Sequence, residues 1–260
     1  MRVFTQVFWL EKRGNTAGEY EDAFCPSVPV MRTGEVFRCA VADGASESSF
    51  SDVWADMLVY AFCKGQVSIR LPDSLHRFQA AWARSVGSRP LPWYAEEKAR
   101  KGAFSSLTGL TLRGPGSTRG ETVLTPRECG DAPASGSWEA IAAGDSCVFQ
   151  VRDDRLLARF PIDRSTDFSN NPFLIGSNRE ANTDLRFASR SGRWLAKDRF
   201  WLMTDALAQW FLAAWETGDR PWSILDTIDS QMAFQHLVSE LRDRHAIRND
   251  DSTLMSVAVT

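Results

Sequence analysis

Residues 35–44 read E-V-F-R-C-A-V-A-D-G. Phe37, Cys39 and Val41 alternate with Arg38 and Ala40, so the period of two predicts a strand over Glu35–Ala42. The strand stops at the turn pair Asp43-Gly44, and the period then changes. Phe50, Trp54, Leu58 and Phe62 fall four apart, which predicts a helix within Ser46–Phe62 with Ser49 and Ser51 as candidate N-caps. A carboxylate at a strand end is held rigidly and still reaches a cleft.

Working outward, three more acidic clusters lie at or just beyond short apolar runs: Glu21-Asp22 in Y-E-D-A-F, Asp205 in F-W-L-M-T-D-A-L, and Asp250-Asp251 in R-N-D-D-S-T-L. Strands are also expected at Val3–Leu10, Ser106–Leu112, Trp138–Ala143, Ser146–Arg152, Arg155–Phe160, Arg199–Met203 and Ser252–Val259. Gly144-Asp145 and Asp153-Asp154 supply turns between three of them. Helical patterns cover a stretch from Ser74 with Leu75, Phe78 and Trp82 on one face, then Trp93–Lys101, Ala206–Trp215, Trp222–Ile228 and Ser230–Arg244. Strand follows strand, and the helices come in two blocks. That order argues for antiparallel sheets with helical layers outside, not for an alternating parallel sheet. One domain over residues 1–260 is expected, with loop excursions near 113–137 and 163–184; the second reads as a mobile surface segment.

Composition narrows the function. Of 260 residues, 43% are hydrophobic and 24% charged, as in an ordinary globular protein. A formal net charge of -3 offers no basic footprint for nucleic acid. No apolar run is long enough to span a membrane, and the first residues lack a signal peptide's apolar core, so a cytoplasmic monomer is expected. The five cysteines, Cys25, Cys39, Cys63, Cys129 and Cys147, form no C-x-x-C pair and read as core or incidental thiols. Trp54, Trp82, Trp210 and Trp215 sit at helical spacing and read as core.

The four acidic clusters carry the chemistry. Taken singly, Asp43 is a turn residue, Asp205 an N-cap, Asp250-Asp251 a solvated turn and Glu21-Asp22 a surface pair. Converging, they make an all-oxygen site for hard divalent cations, with no His or Cys cluster to favour zinc. Two cations about 3.5–4 Å apart need a carboxylate that bridges them.

The chain resembles the metal-dependent protein phosphatases of the protein phosphatase 2C family (PPM-type). Their blocks E-D-A, V-x-D-G, G-D-S, S-D-G-L and D-N-x-T correspond in order to Glu21-Asp22-Ala23, Val41-Ala42-Asp43-Gly44, Gly144-Asp145-Ser146, Thr204-Asp205-Ala206-Leu207 and Asp250-Asp251-Ser252-Thr253. The resemblance implies an α+β fold, a central β-sandwich of two antiparallel sheets flanked by helices on both faces (αββα). It implies a serine/threonine phosphatase that hydrolyses phosphomonoesters with a hydroxide shared by two Mn²⁺ or Mg²⁺ ions. Asp43 would bridge the ions, Asp205 and Asp250 would hold the first, Glu21 and the Gly44 carbonyl would serve the second, and Asp22 would orient the site from behind. Gly144-Asp145-Ser146 reads as a structural turn. The implied partners are a phosphorylated protein and a cognate Ser/Thr kinase.

The chain also departs from the pattern. Ala17 stands where a phosphate-gripping arginine is expected, leaving Lys12 or Arg13 as substitutes. Ala45 replaces a candidate general-acid histidine. Ala206 replaces a glycine and Asp251 an asparagine. Gln209 replaces a third-metal acid, so two ions are expected rather than three. These stripped positions keep two alternatives open: an inactive pseudophosphatase acting as a binding scaffold, and a hydrolase for a small phosphate ester.

Overall fold

The structure is a computed structural model that describes residues 1–67, 74–88, 90, 97, 99–115, 134–169, 171–183 and 185–260. Cys129, most of the expected helix over 93–101 and most of the excursion over 113–137 lie outside the described residues.

Two antiparallel sheets form the centre. The first has the order β3 (Val30–Thr33), β1 (Arg2–Leu10), β13 (Ser252–Val259), β12 (Arg199–Met203), β8 (Cys147–Arg152), β9 (Arg155–Phe160). The second runs β11 (Ala188–Leu195), β7 (Ser135–Ala143), β6 (Leu107–Arg113), β4 (Val36–Ala42), β2 (Ala23–Cys25). A short ribbon pairs β5 (Phe104–Ser105) with β10 (Ile175–Gly176).

Side-chain alternation sorts the strands into three core layers. On β4, Phe37, Cys39 and Val41 point to the layer between the sheets, where they join Trp138, Phe200, Met255 and Val257. Ala40 and Ala42 point the other way, towards α1 (Ser51–Cys63) and α2 (Leu75–Gly87), and pack with Trp54, Leu58, Phe62 and Trp82. On the far side, Phe8, Phe149, Trp201 and Leu254 of the first sheet meet α3 (Asp205–Glu216), α4 (Pro221–Leu225) and α5 (Gln231–Asp243) through Phe211, Trp222 and Phe234. The result is the expected αββα sandwich. Its central strands, such as β4, β6, β8 and β12, are buried on both faces because each sheet is covered by the other sheet and by helices.

Three local features differ from the sequence pattern. Helix α1 begins at Ser51, after Phe50 in a left-handed conformation (φ 63), and neither candidate serine caps it. The Ser51 hydroxyl instead donates to Glu21 (2.8 Å), while residues after Asp43 pair with the β5 ribbon. Strand β11 escaped notice because it is an edge strand: Arg190 and Arg193 face outward, and Trp194 is its only buried side chain. The segment over 163–184 carries two 3-10 turns and β10. Ile175 of β10 is fully buried, and its carbonyl accepts from Trp54 Nε1 at 2.8 Å. That contact spans 121 positions, so no local pattern betrays it.

Candidate metal centre

The strand ends that carry the acids all lie at one end of the sandwich. Asp43 follows β4, Asp145 sits in the β7–β8 turn, Asp205 opens α3 directly after β12, and Asp250 precedes β13. The register enforces this: Met203 pairs with both Cys147 and Leu254, and Leu107 pairs with Ala143. Carboxylate oxygens of Asp43, Asp145 and Asp205 lie within 4.8 Å of one another. With Gly44, Asp250 and Arg248 they line a cleft of about 390 Å³.

Asp145 is therefore more than a structural turn. Gly144 (φ +95) makes that turn possible, since a Cβ there would meet Ser106 Cβ at 2.5 Å. Ser106 links the two acid loops: its Oγ accepts from the Asp43 amide (3.0 Å) and lies 2.7 Å from Ser146 Oγ. The signal was present in the G-D-S motif. What sequence could not supply was the serine strap that brings the Asp145 turn against Asp43.

Glu21 and Asp22 approach from the edge of the second sheet. Gly44 permits this, because a Cβ at that position would stand 2.6 Å from the Glu21 carbonyl oxygen. Asp22 is buried behind the cleft and accepts from Thr204 Oγ1 (3.0 Å), next to Asp205, and from Thr253 Oγ1 (2.7 Å), two residues after Asp251. It thus ties β2 to the two acid-bearing segments of the first sheet. Asp251 also acts as a lock: its carboxylate accepts from the backbone amides of Lys12 and Glu21, each at 2.7 Å. This explains how an acid is tolerated where asparagine was expected.

Glu21 itself is engaged. Its oxygens accept from Ser51 and from Ser46, and Lys12 Nζ lies 3.5 Å away while donating to Ser46 (2.8 Å). Arg13 turns outward and pairs with Asp243 at 2.7 Å. Gln209 donates to the Ser165 carbonyl (3.2 Å) and holds a surface turn. Arg248, which sequence reasoning missed, donates to Asp205 Oδ2.

Electrostatics at this end are strained by like charge. Burial first, then repulsion from Asp22, Asp205, Asp145 and Asp250, pushes the Asp43 carboxyl well above the usual carboxylate range. Burial, then Asp205, raises Asp145 to about 7. Asp205 is also raised by burial, although the Arg248 charge and the Ala206 amide at 2.5 Å oppose this. Among the described residues neither Asp43 nor Asp145 has an ion-pair partner. An oxygen-only donor set with excess negative charge, and no histidine or cysteine in the cleft lining, fits hard divalent cations.

By sequence alone, no family model and no curated protein matches the chain. By structure, the chain superposes along its whole length on the serine/threonine phosphatase PstP/Ppp of Mycobacterium tuberculosis, with a TM-score of 0.57 and 14% identity over 100% of this chain and 99% of that one. The chain has the fold of the PPM-type phosphatases. A structure of the PstP catalytic domain in complex with two manganese ions gives a TM-score of 0.53 at 15% identity, covering 99% of this chain and 100% of that one. RsbX in complex with magnesium gives 0.51 at 14% identity, covering 100% and 96%. Among the described residues, no helix is long and apolar enough to cross a membrane.

Proposed function

We propose that the chain is a metal-dependent phosphatase acting on phosphoserine or phosphothreonine in proteins. The observation that carries this reading is the convergence of Asp43, Asp145 and Asp205, whose carboxylate oxygens fall within 4.8 Å in a cleft. That cleft shares Ala45, Glu47, Asn171, Pro172 and Leu174 with an adjoining hollow of about 620 Å³. The hollow is bordered by Phe104 and Phe173 and suits a side chain flanking the phosphorylated residue, which favours a peptide over a small metabolite.

Divalent cations in this cleft would supply Lewis-acid activation of water and offset charge on the phosphoryl oxygens. The chain's residues do the rest. Asp43, Asp145, Asp205 and Asp250 would hold the cations, and the Gly44 carbonyl and Glu21 would serve the adjacent position. Asp22 fixes the spacing between Thr204 and Thr253, and so between their acidic neighbours. Ala45 has no acidic side-chain proton to give, so protonation of the leaving alkoxide falls to solvent in the cleft. The partners in this reading are a phosphorylated protein and its kinase, met by a cytoplasmic monomer.

The test is hydrolysis of an aryl phosphate and a phosphothreonine peptide with Mn²⁺, with chelator, and with Asp43→Asn. Activity indifferent to both chelator and substitution sinks the mechanism. A second reading, a cation-binding scaffold without turnover, is favoured by the closure of Glu21 under Ser46, Ser51 and Lys12. Calorimetry separates the two, since Mn²⁺ binding with no hydrolysis of either substrate supports the scaffold.

A further inference from the structure

We propose that Arg248 is the side chain that grips the substrate phosphate, in place of the arginine expected at position 17. This inference rests on the phosphatase reading above. Ala17, where that arginine was expected, lies exposed in the 3-10 turn Ala17–Glu19 and does not line the cleft. Neither suggested substitute is free to replace it. Lys12 Nζ is spent on Ser46 and Glu21, and Arg13 is paired with Asp243.

Among the described residues, Arg248 is the only Lys or Arg that lines the cleft with Asp43, Asp145, Asp205 and Asp250. A phosphomonoester dianion entering so acidic a cleft needs a fixed positive group beside any cations. A guanidinium suits this because its planar fork matches two phosphate oxygens at once. Arg248 makes one hydrogen bond among the described residues, to Asp205, which leaves most of its five N–H donors open. Its side chain is 41% exposed, so a ligand can reach it.

The backbone around Arg248 is held from both sides. Arg242 donates to the Asp250 carbonyl at 2.6 Å. Asn249 accepts from the Arg13 amide at 2.7 Å and donates to the Arg13 carbonyl at 3.1 Å. The loop is therefore pinned to α5 and to the segment after β1, and Arg248 projects from a fixed base. Asp205 Oδ1 accepts from the Ala206 amide and Oδ2 from Arg248, so a cation on that carboxylate would compete with the guanidinium.

The experiment uses the full chain in three forms: wild type, Arg248→Ala and Arg248→Lys. Inorganic phosphate is titrated calorimetrically into Mn²⁺-loaded protein, Mn²⁺ is titrated separately, and KM for an aryl phosphate is measured. The expected result is phosphate affinity about tenfold weaker in Arg248→Ala and partly restored in Arg248→Lys, with KM rising in parallel. Mn²⁺ affinity should hold or tighten by a few-fold, and any fall in melting temperature from losing the Asp205 pair should be recovered with Mn²⁺. Unchanged phosphate affinity in Arg248→Ala overturns the assignment, and so does loss of Mn²⁺ binding together with it. Phosphate binding weakened by the substitution in a wild type that hydrolyses nothing would support Arg248 and refute the phosphatase reading. Hydrolysis with phosphate affinity indifferent to Arg248 would refute the assignment and leave that reading standing.

Discussion

Strand β12 has an aspartate beyond each end, and the two are treated in opposite ways. Asp198, just before the strand, is fully buried and saturated: it accepts from Arg152 Nε (2.6 Å) and its terminal nitrogen (2.8 Å), from Gln150 Nε2 (2.7 Å) and from the Leu195 amide (3.0 Å). Asp205, just after the strand, shares its end of the sandwich with Asp43, Asp145 and Asp250, and among the described residues Arg248, paired with Asp205 alone, is the only Lys or Arg in the cleft lining. A buried carboxylate that only needs to hold a fold is given enough donors to satisfy it. The end left short of positive charge is the end that can take up cations.

That contrast breaks first if Asp198 proves dispensable. Asp198→Ala should cost about 3–5 kcal/mol, because Arg152 and Gln150 lose their buried acceptor. Chemical denaturation measures it, and Mn²⁺ should rescue none of the loss. Asp22, at the opposite end, lies between the two cases. Asp22→Ala should cost about 1–3 kcal/mol by stripping Thr204 and Thr253 of their acceptor, whereas Asp22→Asn keeps an acceptor and should cost less than about 1 kcal/mol. Equal losses in the two variants would show that charge, not hydrogen bonding, is what Asp22 contributes.

Sequence periodicity exposed this architecture well wherever a strand has one clear apolar face or a helix a continuous stripe. Residues 35–62 are the best example: Phe37, Cys39 and Val41 did go to one layer and Trp54, Leu58 and Phe62 to the next. Strand β11 and the β5–β10 ribbon were not legible, since an exposed edge and a two-residue pair leave no period to read. The acids Asp43, Asp205 and Asp250 were legible as strand-end residues, and one cleft does gather them. Asp145 was visible as a motif but not as a member of the cluster, because its position depends on the Ser106–Ser146 contact across 40 positions. Arg248 had no signal beyond lying two residues before Asp250.

The pH response sharpens the contrast further. Asp145 is raised by burial and by Asp205, so the folded state holds its proton more tightly than the unfolded chain does. Such a group supports stability below the ordinary carboxylate range, and that support is lost as pH rises through about 7. Without metal, Asp145→Asn should match wild type near about pH 4 and exceed it by about 1–3 kcal/mol near about pH 8. Saturating Mn²⁺ at the higher pH should reverse the ranking, because the variant has lost a ligand. A gap independent of pH would mean that Asp145 is relieved by a partner other than a cation.

The smallest expected effect concerns Glu21, which stands beside the cleft rather than in its lining. Among the described residues Asp43 and Asp145 lack ion-pair partners, but Glu21 already has Lys12 at 3.5 Å, with both side chains about one-fifth exposed (23% and 20%). A partly exposed pair of this kind is worth at most about 1 kcal/mol, so it weakens a cation at Glu21 without forbidding it. Calorimetry of wild type should therefore resolve a tighter Mn²⁺ event and a weaker one. Lys12→Met removes the competing charge and keeps the aliphatic stem, so it should tighten the weaker event by up to about fivefold and leave the tighter one alone. Glu21→Gln should act on the weaker event in the opposite direction. If Lys12→Met instead shifts the tighter event, Glu21 belongs with Asp43, Asp145 and Asp205, and the cleft works as one electrostatic unit rather than two.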